Sequence, residues 1–200
     1  MNVIERSPCV GICSLAGCAT NQISSNLNGV DGLTLKQVNG NSFLERYELS
    51  SQASASSDLA FCIASNLSNK DVQLSDTSKS FVGQASGNLY IAGDKNNAAG
   101  GEVIKYKSDD GSKVAAQGRA DYSFTFGFAP ISRTVQFDVV AKKESGKLLL
   151  SFTEIMQAQK DTGFSANNGF QPVGAWDGAN PDMALSTLKD VATKIQRCMN

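Results

Sequence analysis

The chain has 200 residues, of which 41% are hydrophobic and 18% are charged, and its formal net charge is -1 at pH 7. This length and apolar content suit one folded domain, and the balanced charge gives no basic surface that would collect nucleic acid. Because the sequence contains no histidine, Ser-His and Cys-His nucleophile pairs and imidazole metal ligands are excluded, and we expect no enzymatic activity, no cofactor and no metal site.

The first motif along the chain is Leu15-Ala16-Gly17-Cys18, in which an apolar residue and two small residues precede a cysteine. The motif resembles the lipobox of bacterial lipoproteins, where the cysteine receives diacylglycerol and becomes the mature N-terminus. A short apolar run and the positive charge of Arg6 precede it, as in a signal peptide. The resemblance implies that residues 1–17 are a signal peptide, that Cys18 carries a lipid anchor and that the protein is exported.

Ala19 follows the lipobox cysteine in place of aspartate. By resemblance to enterobacterial sorting signals, this implies the outer membrane, with the domain facing the periplasm. Residues 18–30 are largely polar and predict a tether without helical order. A metal site on Cys9, Cys13 and Cys18 is the alternative interpretation, but their spacing matches no familiar zinc pattern.

The remaining cysteines, Cys62 and Cys198, are an even number of thiols in an oxidising compartment. We therefore predict a disulfide between them, with two buried free thiols as the alternative. Leu59, Cys62 and Ile63 follow helical spacing and predict a helix from about residue 58 to residue 67 that turns Cys62 toward the core.

Strand patterns begin with Leu33 and Leu35 and resume from about residue 79 to residue 155, where apolar residues alternate between Gly, Asn and Asp turns. Phe81-Val82 and Leu89-Tyr90-Ile91 bracket Ser86-Gly87-Asn88, and we expect them to pair as antiparallel neighbours within one meander. In residues 122–128 four aromatic residues share one strand face. They are expected in the core, or on the wall of a ligand cavity if helices stand off the sheet.

The closing helix begins with Asn180 as its N-cap and Pro181 as its first residue, and its apolar stripe ends at Cys198. The order of elements predicts one α+β domain over residues 31–200. Its antiparallel meander sheet of about six to seven strands packs against a helix from the N-terminal half and a long C-terminal helix. This order is similar to START-like lipid-binding domains and to TATA-binding-protein-like sheets.

The connection between Met156 and Asn180 is long and contains Phe164, Phe170 and the only tryptophan, Trp176. Long structured loops often carry function, so we predict that these three aromatics bind a ligand or a partner. The alternative is that they plug the end of the sheet core.

Together these features predict a non-enzymatic envelope lipoprotein that binds a protein partner or an apolar ligand. One alternative is a periplasmic carrier of lipid or another hydrophobic ligand, which a cavity above about 300 Å³ would favour. A prophage surface-exclusion lipoprotein and a Ser-Lys hydrolase are further alternatives. The last rests on Ser186-Thr187-Leu188-Lys189, which fits the S-x-x-K pattern of penicillin-binding proteins and β-lactamases but lacks their other motifs.

Overall fold

The computed structural model describes residues 22–200, whose centre is a seven-stranded antiparallel sheet. In chain order the strands are β1 Leu33–Val38, β2 Asn41–Gln52, β3 Val72–Ser75, β4 Phe81–Val82, β5 Leu89–Tyr90, β6 Lys95–Ala98, β7 Ile104–Lys107, β8 Lys113–Phe126, β9 Ala129–Glu144, β10 Lys147–Gln159 and β11 Gln171–Pro172. The helices are α1 Leu59–Asn66 and α2 Pro181–Met199, and short 3-10 turns lie at Ser25–Leu27 and Asp177–Ala179.

The sheet is open, and its strands lie in the order β1-β2-β10-β9-β8-β7, with β11 paired to β10. Strands β7 to β10 form a meander in which β8 and β9 pair along their whole length. Alternation sets this register, because Val135, Phe137 and Val139 all turn to the same face and are buried there. The α+β class with an antiparallel sheet and two helices, one of them long and C-terminal, is confirmed.

Both helices pack on one face of this sheet and complete the core. Phe137 contacts Phe152 edge to face at 5.3 Å between ring centroids, and Leu188 and Ile195 of α2 are fully buried. A disulfide joins Cys62 of α1 to Cys198 of α2, with 5.6 Å between their Cα atoms. The predicted pairing of these cysteines is confirmed.

The start of α2 differs in detail from its prediction. Pro181 is the first helical residue as expected, and Asn180 is the N-cap residue. However, Asn180 adopts a left-handed backbone conformation with φ of 55°, and its side chain makes no capping hydrogen bond. The fixed φ of proline, rather than a side-chain cap, marks this helix start.

The predicted antiparallel pairing of Phe81-Val82 with Leu89-Tyr90-Ile91 is confirmed, but two other predictions were wrong: these strands do not join the main sheet, and the aromatic row of residues 122–128 is not buried along its whole length. Strands β4 and β5 pair only with each other, and β3 pairs with β6 in a second small sheet. Phe126 is 77% exposed and Phe128 is fully exposed, whereas Tyr122 is buried and Phe124 partly buried. The reason is that the β8–β9 hairpin runs past the helix layer, so alternation continues after the core has ended.

Residues 22–30, the described part of the predicted tether, pack on the domain. The Ser24 N–H donates to the Ala175 carbonyl at 2.8 Å, and Leu27 is buried in the main core. The apolar Leu27 within a polar stretch accounts for this packing, because its burial removes apolar area from water. The signal peptide of residues 1–17 and the lipobox cysteine Cys18 lie outside the described residues. Within residues 22–200, no helix is long and apolar enough to cross a bilayer.

The second face of the sheet is partly covered by the β3–β6 unit, which Arg119 fastens to β8. The Arg119 guanidinium donates to the carbonyls of Lys70, Ala98 and Ala99 and to the Gln136 side chain, each at 2.7 to 2.9 Å. Burial is the main cause that lowers the pKa of Arg119. Since every one of these acceptors is neutral, Arg119 acts as a structural clamp.

Candidate functional site

The strongest surface anomaly is the β4–β5 hairpin, here called the apolar hairpin and defined as residues 81–91. Its five large apolar side chains are 47% to 71% exposed; they are Phe81, Val82, Leu89, Tyr90 and Ile91. Phe81 pairs with Tyr90 and Val82 with Leu89, and the Phe81 and Tyr90 rings stack at 5.1 Å. Clusters of this kind on a protein surface are typical of interaction sites.

Both faces of the apolar hairpin are apolar. Successive residues of a strand point to opposite faces, so Phe81 and Tyr90 cover one face while Val82 and Leu89 cover the other. No charged residue occurs between residues 81 and 91. An isolated two-stranded hairpin is marginally stable in water, so the rest of the domain must hold its base.

Asp76 holds that base from a buried position. One carboxylate oxygen accepts from the Ser78 hydroxyl at 2.6 Å, from the Ser78 N–H at 2.9 Å and from the Asp94 N–H at 3.4 Å. The other oxygen accepts from the Asn167 N–H at 3.1 Å. These hydrogen bonds hold the pKa of Asp76 well below its usual range, and those from Ser78 have the largest effect.

A second set of contacts closes the hairpin stem. Lys79 donates to the Asp94 carboxylate at 2.6 Å, which raises the pKa of Lys79, and its backbone N–H donates to the Ala92 carbonyl at 3.0 Å. Gly93 lies so close to the Asp76 carbonyl that any side chain there would collide with it. Hydrogen bonds, an ion pair and close backbone packing therefore fix the stem from which the hairpin projects.

The structure brings one of the three predicted loop aromatics to this surface. The Thr77 N–H donates to the Gly163 carbonyl at 2.6 Å, so Phe164, which is 73% exposed, borders the hairpin base. The prediction of a binding role for Phe164 therefore points to the same region as the apolar hairpin. The apolar hairpin is the candidate interaction surface, and Phe164 is an exposed aromatic residue next to its stem in the chain segment that Thr77 holds.

The other two predicted aromatics lie elsewhere and anchor the loop. Phe170 packs on the small core of Val72, Leu74 and Ala158, with the Arg119 guanidinium 5.1 Å above its ring. Trp176 meets Phe43 edge to face at 5.6 Å between centroids. The three aromatics thus do not form one site, and for Phe170 and Trp176 the contacts match the anchoring alternative.

A separate apolar groove of about 330 Å³ lies where the loop enters the sheet. Its walls include Val38, Phe43, Met156 and Pro172, and charged residues at its rim are Lys36, Glu45 and Glu154. Between sheet and helices, the interior of the core is filled by large buried side chains, and at its edge a groove of about 420 Å³ opens between β8 and α2. The mainly apolar walls of the groove beside Phe43 suit a small apolar ligand.

The S-x-x-K pair lies on the solvent side of α2, where both Ser186 and Lys189 are exposed. Ser186 lines a groove beside β8 together with Thr187 and Asp190, and Lys189 is not among the residues lining it. Among residues 22–200, no group of three or more Cys, Asp or Glu side chains is placed to hold a metal ion.

Sequence reasoning missed the apolar hairpin as a site, because it assigned both strands to the main sheet. A usable signal was present: Phe81-Val82 and Leu89-Tyr90-Ile91 are adjacent apolar residues rather than alternating ones. A strand with one face on a core alternates, whereas a strand that is apolar on both faces must be buried on both or exposed.

No protein-family model and no curated protein matches the chain. A crystal structure of a DUF4468 family protein from Bacteroides ovatus matches with a TM-score of 0.38 and 8% identity, covering 82% of this chain and 83% of that chain. A likeness this weak carries no argument about function.

Proposed function

We propose that the chain is an exported, lipid-anchored envelope protein that binds a protein partner through the apolar hairpin and catalyses no reaction. The observation that carries the proposal is the exposure of five large apolar side chains on both faces of one hairpin. Water contact with this surface is costly, and a partner that encloses it would remove that cost.

The chemistry of the hairpin favours a protein partner over a lipid surface. Four of its large apolar residues lie on the strands and Ile91 follows directly, while the turn from Gly83 to Asn88 is mostly polar. Lys79, the nearest basic residue, is paired with Asp94. Membrane-binding elements instead combine apolar residues with free Lys or Arg that meet anionic headgroups. A groove on a partner protein, in contrast, can enclose both apolar faces of the hairpin at once.

Export is supported by two separate features. The lipobox resemblance at Cys18 implies it, and the Cys62–Cys198 disulfide belongs to the kind of bond that persists in oxidising compartments. The lipid would hold the domain at a membrane and raise the local concentration of any partner there. The outer membrane is the proposed location.

A carrier role is the second candidate, favoured by the apolar groove beside Phe43. Its volume of about 330 Å³ falls at the lower end of the range for small-molecule sites. The groove lies away from the apolar hairpin residues, so variants can separate the two functions.

The partner proposal is tested by placing a photo-reactive amino acid at Leu89 and irradiating intact cells. We expect one discrete protein adduct, lost when Phe81→Ser and Tyr90→Ser are combined. Phe61→Ser is the matched control, because Phe61 is a lone exposed aromatic at 66% on α1, and it should leave the adduct unchanged. Adducts to lipid alone, or adducts unaffected by the double variant, would contradict the proposal.

The anchor is tested by mass spectrometry of the native protein purified from membranes. We expect a chain that begins at Cys18 and carries a diacylglycerol adduct. An intact Met1 with an unmodified Cys18 thiol would overturn lipid anchoring without affecting the hairpin proposal.

A further inference from the structure

One edge of the main sheet is left open over residues 120–126 of β8. The neighbouring strand β7 pairs only with residues 114–116, and the Gln117 and Arg119 N–H groups donate outward to the Val103 and Ser68 carbonyls. Because the β8–β9 register is continuous, backbone groups alternate in direction beyond that point. The N–H and C=O groups of Asp121, Ser123 and Thr125 therefore face outward and have no backbone partner within residues 22–200.

This edge lacks the usual protection against strand pairing. Lys, Pro and bulges normally blunt an exposed edge, and the opposite edge of the sheet, β1, has Lys36 and a register shift. Residues 120–126 contain no Lys, Arg or Pro, and their register is regular. Tyr122, Phe124 and Thr125 have high strand propensity. Asp121 is the one charged residue, and its carboxylate is bound by Lys160 and Thr134.

We infer that two copies of this chain pair antiparallel along the free edge of β8, about a two-fold axis beside Ser123. Antiparallel pairing needs outward-facing residues opposite each other. This register meets that need, since Ser123 faces the partner's Ser123 and Asp121 faces the partner's Thr125. Ser123 is also the middle residue of the free stretch, so in this register the unpaired residues of one copy lie opposite the unpaired residues of the other over their whole length.

The side chains match in the same register. On the helix face Tyr122 lies opposite the partner's Phe124, and each copy repeats the contact, as a closed two-fold interface requires. Phe126 comes opposite the partner's Ala120. There each copy has a groove of about 420 Å³ in which Ala120, Tyr122 and Met183 lie beside polar and charged residues such as Asp190 and Lys194. In this register the exposed ring of Phe126 comes next to the apolar part of the groove, and no like charges face each other along residues 121–125.

The energetics allow such a dimer. Phe126 is 77% exposed and can bury most of its side-chain area, whereas Phe124 is already partly buried in its own copy and adds less. The paired backbones add further area toward the ~1,200 Å² of a standard interface. With a net charge of -1 per copy, long-range repulsion is small. The inference uses β8 and is independent of the apolar hairpin.

The test is cross-linking of Ser123→Cys in the full chain. Opposite residues of a hydrogen-bonded antiparallel pair have Cα atoms about 5.5 Å apart, within disulfide reach. Under mild oxidation we expect a dimer whose linked peptide joins position 123 to itself. Thr125→Cys is the matched control, because its counterpart in the partner is Asp121, and it should not link to itself.

A second measurement needs no added cysteine. Sedimentation over a concentration series should show a monomer–dimer equilibrium in the wild type, weakened at least about tenfold by Phe126→Ser. Phe128→Ser changes a neighbouring exposed ring outside the pairing register and should leave the equilibrium unchanged. A wild-type chain that stays monomeric, or a Ser123→Cys chain that cross-links no better than Thr125→Cys, would overturn the inference.

Discussion

At the scale of single residues, Gly118 of β8 sets how closely the helix layer approaches the sheet. A Cβ at this position would lie 2.8 Å from the Phe137 ring and 3.2 Å from Leu67. We expect Gly118→Ala to destabilise the domain by about 1–3 kcal/mol, because the ring is buried and cannot move freely. Chemical denaturation measures this change. Lys113→Ala, an exposed change on the same strand outside the free edge, should alter the unfolding free energy by no more than about 0.5 kcal/mol.

The Asp76 carboxylate predicts how the stability of the hairpin base depends on pH. Hydrogen bonds keep its pKa below the ordinary 3.8, so its stabilising effect is complete above that pH and is lost only as the pH falls through the lowered value. Between pH 3.8 and neutrality, hydrogen exchange should find the Ser78 and Asn167 amides protected. Asp76→Asn should expose both at neutral pH.

The control for this prediction is Asp94→Asn. Asp94 accepts from Lys79 at the surface but binds Asp76 only through its backbone N–H, and exposed ion pairs contribute little. Equal loss of protection in both variants would show that the hairpin base does not depend on the Asp76 carboxylate.

At the scale of elements, the disulfide is the largest single constraint. It joins two helices that are 136 residues apart in sequence, so loop-entropy arguments allow it at most about 5 kcal/mol. We expect reduction, or Cys62→Ala with Cys198→Ala, to lower the free energy of unfolding by up to this amount and to shift the denaturation midpoint accordingly. Reductant should then have no effect on the double variant. Unchanged stability of the reduced wild type would contradict a structural role for this bond.

The elements also show what the sequence could predict. The disulfide and α2 follow from local signals, since Leu185, Leu188 and Cys198 share one stripe and Pro181 marks the start. The partner of a short strand is a non-local property. The Ser86-Gly87-Asn88 turn predicts that β4 and β5 pair with each other, but it does not show that the pair lies outside the main sheet. Alternation alone did not reveal where β8 leaves the core at Phe126.

At the scale of the whole molecule, the site is also only partly readable from sequence. The long aromatic loop makes Phe164 a candidate residue, whereas the apolar hairpin, whose stem meets this loop, is some eighty residues earlier in the chain. The hydrogen bond between Thr77 and Gly163 brings these segments together. Contacts over such separations depend on the complete fold, and composition gives no sign of them.

The oxidation state of the whole molecule in the cell provides a direct test of its location. An exported chain forms the Cys62–Cys198 bond in an oxidising compartment, whereas the cytosol keeps thiols reduced. Cells quenched in acid and treated with a maleimide should give protein in which neither residue is labelled until a reductant is added. Chains retained in the cytosol by deleting residues 1–17 are the control and should label at both positions. Labelling of both residues in the untreated wild type would place the protein in a reducing compartment and remove the argument for export.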